Sequence, residues 1–171
     1  MIGRPEAHES AQYYSLYIDQ APGENPVGLI ETQLDECLAA CATVSEERSL
    51  YRYAPDKWSI RQLLNHITDT ERAFAFRALW FARSFDAPLP GYDQNVAAAG
   101  AEADRISWAA HVEEFRAVRQ STIALFRNMP PEAWSRSGIA SGNPFTVRAL
   151  AYIIPGHVAH HLRILSERYS P

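Results

Sequence analysis

The sequence predicts an all-α protein, a four-helix bundle behind a short N-terminal arm, within one domain over residues 1–171. Three observations lead there. Apolar residues recur at spacings of three and four in four separate stretches of roughly 20 residues, which is the period of a helix. No strand-like alternation persists anywhere. Segments rich in proline, glycine and small residues separate the stretches. Four helices of about 30 Å each are the parts of a bundle. Two long connections leave room for a crossover, so the order of the helices around the bundle stays open.

Residues 1–25 hold Pro5, Pro22 and Gly23 around the aromatic cluster "YYSLYI", which suits an arm or short helix packed on the domain. From Pro26 to about Val44, Ile30, Leu34, Leu38 and Cys41 mark the first bundle helix, with Pro26 placed in its first turn. In "DKWSIRQLLNH", Ser59 caps the second helix, Gln62 completes a capping box, and Trp58 with Leu63 forms a hydrophobic staple. That helix is expected to run to about Ser84. Residues 85–104 contain "APLPG" and then small residues, and read as a long loop of the functional or mobile kind. A third helix covers about Ser107 to Met129 through Trp108, Val112, Phe115, Ile123 and Phe126, and "MPPEAW" breaks it. "SGIASGNP" reads as a second loop, after which the fourth helix starts near Thr146 and runs to about Tyr169.

Composition narrows the class. A chain of 171 residues with 47% apolar content and four tryptophans can bury a real core. No apolar run approaches the roughly 20 residues of a membrane span. "MIGRPEAHES" lacks the apolar core of a signal peptide, so a cytoplasmic protein is expected. A net charge of −4 and a pI near 5.8 count against a nucleic-acid surface. Cys37 and Cys41 make no disulfide framework; four apart on an apolar stripe, they read as small core residues.

The chemistry concentrates in "IPGHVAHHLRIL", residues 153–164, with His157, His160 and His161 in five positions. "WSIRQL" (58–63) and "FTVRAL" (145–150) match by type at all but one position and give two helices a common origin for counting. His66 lies 7 residues after Ser59, and His157 and His161 lie 11 and 15 after Thr146. At about 100° per residue these three fall within roughly 80° of one another. Leu150, Ile153, Ile154, Ile164 and Leu165 surround the direction of His157 and His161, whereas His160 lies at the edge of that arc beside Glu167. A histidine pair at i, i+4 on a core-facing stripe can hold one ion, and His66 from another helix can close a three-histidine site. Burying three imidazoles with neither a metal nor acid partners would be costly. Pro155 cannot donate to the carbonyl of Ala151 and should kink or loosen the helix just before His157.

"KWSIRQLLNHITDTER", followed about 90 residues later by "GHVAHHLRIL", resembles the DinB/YfiT-like proteins over most of residues 26–169. The resemblance implies a four-helix bundle with a three-histidine metal site, and it carries over to His66, His157 and His161. It also implies a range of activities. Some members are thiol-dependent transferases and isomerases that use low-molecular-weight thiols such as bacillithiol or mycothiol; others are taken to be metal-dependent hydrolases; several are homodimers. Pro155 lies outside the shared pattern. The family name does not imply DNA binding.

Three neutral imidazoles leave a divalent ion with open positions, as in catalytic sites. Such an ion lowers the pKa of a bound water or thiol. Zinc, nickel and iron all suit imidazole. Asp69 and Thr70 stand three and four after His66 at the expected rim, where Asp69 could orient an imidazole or act as a base. Tyr92, Asp93 and Gln94 in "GYDQN" of the long loop could reach over the metal; an Asx-type turn is the alternative for Asp93. Arg77 shares the face of His66 about 16 Å along the axis, where pairing with a buried carboxylate is expected ahead of gripping a substrate anion. His8 and His111 read as surface or edge residues. The expected function is a metal-dependent enzyme on a small molecule, a thiol S-transferase or a hydrolase. The alternative is a non-catalytic metal- or ligand-binding protein of the same fold.

Overall fold

The structure, a computed structural model, describes residues 2–169. The arm makes two 3-10 turns, Ala7–Glu9 and Gln12–Tyr14, and a short helix α1, Ser15–Ile18. Four long helices follow: α2 (Pro26–Ala42), α3 (Ile60–Ala82), α5 (Trp108–Arg127) and α6 (Val147–Arg168). Each begins at a side-chain cap. Asn25, Ser59, Ser107 and Thr146 accept from the backbone N–H of Gly28, Gln62, Ala110 and Ala149. At α3 the box is complete, because Gln62 Oε1 also accepts from the Ser59 N–H at 3.0 Å.

Consecutive helices are not neighbours throughout. Helices α2 and α3 each pack against both α5 and α6. Helices α2 and α3 therefore sit diagonally, and the 43–59 connection crosses the end of the bundle. The core shows the directions. One apolar cluster holds Ile30, Phe74, Phe81, Ile123, Phe126 and Leu150; the other holds Cys37, Leu63, Ile67, Trp108, Phe115 and Val158. Chain order through the two clusters makes α2 parallel to α6 and α3 parallel to α5. Between the clusters lies a polar belt of buried Gln33, His66, Glu71, Arg119 and His157.

Two segments differ from the sequence expectation. Residues 85–104 are not a bare loop: Asp93 accepts from the N–H of Asn95 and Val96 and caps helix α4, Gln94–Ala101. "SGIASGNP" is a β-hairpin, β1 (Ser137–Ala140) against β2 (Asn143–Thr146), turning at Ser141 and Gly142. Strands of four residues interrupted by Gly138 and Pro144 are too short to show period-two alternation. The hairpin receives the 85–93 segment, with Leu89 N–H donating to Ile139 O at 2.9 Å and Ser141 N–H to Leu89 O at 3.1 Å.

The repeated arginine of "WSIRQL" and "FTVRAL" has one job at both places. Arg61 holds Glu46 and Ser49 of the preceding connection, and Arg148 holds Glu9 of the arm. Burial opposes the Glu9 charge, but the hydrogen bonds of Arg148 and Thr146 outweigh it and keep the carboxyl below its ordinary range. The arm thus lies on α6. There, Gly156 allows an approach that a side chain would block: a Cβ would stand 1.9 Å from the Tyr17 carbonyl oxygen. Gly156→Ala is expected to push α1 off α6 and to cost about 1–3 kcal/mol, the usual price of overpacking. Faster limited proteolysis within residues 19–25, with a lower denaturation midpoint, is the measurement; an unchanged rate would contradict it.

Candidate metal centre

Helices α3 and α6 pack directly, and they bring His66, His157 and His161 together. His66 Nε2 lies 3.1 Å from His157 Nε2, and His161 Nε2 lies 3.0 Å from the same atom. One nitrogen from each ring falls within 4.8 Å of the others. His66 and His157 are buried, and His161 is 9% exposed. His160 is outside the cluster; its ring meets Tyr17 edge-on at 5.6 Å.

The donor set fits a divalent cation. The Thr70 hydroxyl, 3.3 Å from His66 Nδ1, fixes the ring so that an Nδ1–H donor leaves the Nε2 lone pair free. The tilted Trp58 ring, 4.8 Å away centre to centre, covers the other side of His66. Three Nε2 atoms then face one another, and hydrogen bonds among neutral imidazoles cannot satisfy all of them. Burial also keeps these rings neutral, as ligands must be. It lowers His66 to about 4 and, with the nearby His66 and His160, His161 to about 3. His157 is pushed well below its ordinary range by burial first, then by the neighbouring histidines.

These shifts set a pH dependence for the metal-free protein. Unfolded imidazoles titrate near 6.5 and the buried rings lower. Below that value the unfolded chain binds more protons, so stability falls as pH drops from about 6.5 toward 4. Each ring contributes up to about 1.4 kcal/mol per pH unit across its own window. Urea midpoints of the chelator-treated protein should fall between pH 7 and pH 5; a flat profile would contradict buried, neutral rings.

A cleft of ≈ 220 Å³ opens on His66 and His157. Thr70, Arg77, Tyr92 and Gln94 line it, as do Tyr13, Tyr14 and Tyr17 of the arm and Ser141 of the hairpin. The Tyr17 ring stands edge-on to His157 at 5.3 Å. Tyr92 makes a hydrogen bond with Thr70; burial, and then the charge of Asp69, raise its pKa and keep the hydroxyl protonated. Asp69 pairs with Arg72 at 3.1 Å, which in turn pairs with Glu114. Asp93, the α4 cap, is exposed and does not line the cleft. Arg77 corrects an expectation: among the described residues it has no carboxylate partner and donates instead to Ser141 Oγ at 2.8 Å. His111 corrects another. It is 1% exposed, and its Nε2 contacts the Ala103 carbonyl at 2.9 Å, which pins the 3-10 turn Ala103–Arg105 to α5. Burial raises the Cys37 and Cys41 thiols to about 12 and about 11, which leaves both unreactive. Sequence reading missed the three arm tyrosines and Ser141; "YYSLYI" carried a packing signal but none for a site.

Among the described residues no helix is long and apolar enough to cross a membrane. The DinB superfamily model matches residues 29–165. Among solved structures, the chain is similar to YfiT from Bacillus subtilis, described as a probable metal-dependent hydrolase with an unusual four-helix bundle topology. The identity is 15% and the TM-score 0.72, covering 96% of this chain and 90% of the other. No curated protein matches.

Proposed function

The chain belongs to the DinB superfamily, and from that premise we propose that it is a metal-dependent enzyme acting on a small molecule, a thiol S-transferase or a hydrolase. The observation that carries the reading is the convergence of three Nε2 atoms on the floor of a cleft, with two of the three rings facing the opening. His66, His157 and His161 would hold zinc, nickel or iron, all metals that imidazole suits. When bound, the ion supplies Lewis acidity, which lowers the pKa of a water or thiol joining it.

The remaining roles belong to the chain. Thr70 orients His66, and Tyr92 supports Thr70 from the cleft mouth. The arm tyrosines close one wall and limit water around the reacting groups, and Gln94 offers an amide to a polar substrate. Elemental analysis of purified protein, then reconstitution and a screen of thiols with electrophiles beside hydrolysable esters and amides, tests the proposal. One divalent ion per chain and turnover lost on chelation are expected. A protein that takes up no metal, or turnover indifferent to chelation, would refute it. A stoichiometric metal without turnover would favour a binding protein.

A further inference from the structure

Among the described residues three arginines are buried, Arg61, Arg77 and Arg119, and two of these, like Arg148 on buried Glu9, are matched by acids. Arg61 meets Glu46, Arg119 meets Glu71, and Arg148 meets Glu9. Arg77 is 6% exposed and has no such match among the described residues. Its guanidinium lies 5.5 Å from the Phe74 ring centre and 5.9 Å from that of Phe145, and Tyr14 gives it a hydroxyl contact. An arginine stays charged in such surroundings, and a buried charge without a counterion is costly. One donor is used on Ser141 Oγ and another on the Tyr14 hydroxyl, so most of the five donors stay available.

Position adds to this. Arg77 follows His66 by 11 residues, about 20° around the helix and about 16 Å along it. Long helical side chains lean back toward the N-terminus, here toward the histidines. Both residues line the same cleft, and Arg77 is the one charged side chain among its lining residues. Ser141 sits at φ +52 beside Gly142 at φ +73, a left-handed position that is strained for a serine. That turn places the hydroxyl on the guanidinium. The oxygen accepts from Arg77, so its own hydrogen is free to donate.

We propose that Arg77, with the Ser141 hydroxyl, binds the carboxylate of the substrate, so that the substrate class is a small organic acid lying between this end of the cleft and the histidine cluster. A planar monoanion matches one guanidinium fork. A phosphate dianion would call for a second cationic side chain beside Arg77, and the cleft lining holds none. The inference rests on the metal-enzyme reading for its second anchor point.

The test uses the full chain reconstituted with cobalt, and mercaptohexanoate against mercaptohexanol as probes. Cobalt–thiolate absorbance reports the metal end, and calorimetry reports affinity. The acid should bind at least about tenfold tighter than the alcohol, the scale of a charge-assisted hydrogen bond. In Arg77→Gln that ratio should fall to about one with the cobalt spectrum unchanged. Ser141→Ala, should Arg77→Gln fail to fold, is expected to reduce the ratio in part. Equal affinities in the wild type, or a preference that survives Arg77→Gln, would overturn the proposal. Calorimetry repeated without cobalt separates the two readings: a missing thiolate band counts against the metal site alone, and a ratio of one counts against the anion site alone.

Discussion

His157→Ala is expected to emerge from reconstitution with no stoichiometric zinc. Its Nε2 is the central atom of the cluster, 3.1 Å from that of His66 and 3.0 Å from that of His161. Without it two imidazoles remain, fewer than the three protein ligands of an open divalent site. His66→Ala and His161→Ala should each weaken binding by more than the roughly 10–100-fold that loss of a supporting partner costs. His160→Ala should leave binding within a few fold, because its ring faces Tyr17 and stands outside the cluster. Competition against a chromophoric chelator gives the four affinities. Equal losses for His160→Ala and His161→Ala would sink the assignment.

The contrast between neighbouring histidines was readable before any coordinates, because helix period and two serine/threonine caps fix angles within a helix. The same reasoning could have found more. The α5 stripe runs Trp108, Phe115, Ile123, Phe126, and its vacant three-and-four positions are filled by His111 and Arg119. A polar residue in such a place is buried and has a partner, and here the partners are Ala103 and Glu71. Asp93 before an alanine-rich run is likewise a helix start that a long-loop reading overlooks. Other features had no local signal. Periodicity says which face of a helix is inward but not which helix it meets, so the diagonal placement of α2 and α3 was not legible. Tyr17 and Ser141 reach the cleft from an arm and a hairpin tip, and only tertiary packing decides where those land.

Breaking the Glu71–Arg119 pair should produce the largest stability effect in the chain, and an asymmetric one. The pair spans α3 and α5 at 2.9 Å, with both side chains almost wholly buried. Gln33 of α2 accepts from Arg119 and donates to the Pro155 carbonyl of α6 at 2.9 Å, so one polar network touches all four long helices. Glu71→Leu strands a guanidinium that cannot give up its proton, and should cost about 3–5 kcal/mol. Arg119→Leu strands a carboxyl whose pKa burial already raises against the pull of Arg119; it can take up a proton, and the cost should be smaller. The double variant removes both charges and should be more stable than Glu71→Leu alone, since a buried pair replaced by apolar groups is often neutral. Urea denaturation of the four proteins closes the cycle, and a double-variant loss equal to the sum of the single losses would show that the two charges are not coupled. Zinc affinity of the double variant then asks why the pair is there. Gln33, which donates to the Pro155 carbonyl two residues ahead of His157, at the proline that cannot donate to Ala151, loses its Arg119 partner. A double variant that folds well yet binds zinc about tenfold more weakly would assign the belt to placing His157. Unchanged zinc affinity would leave it a purely structural clamp.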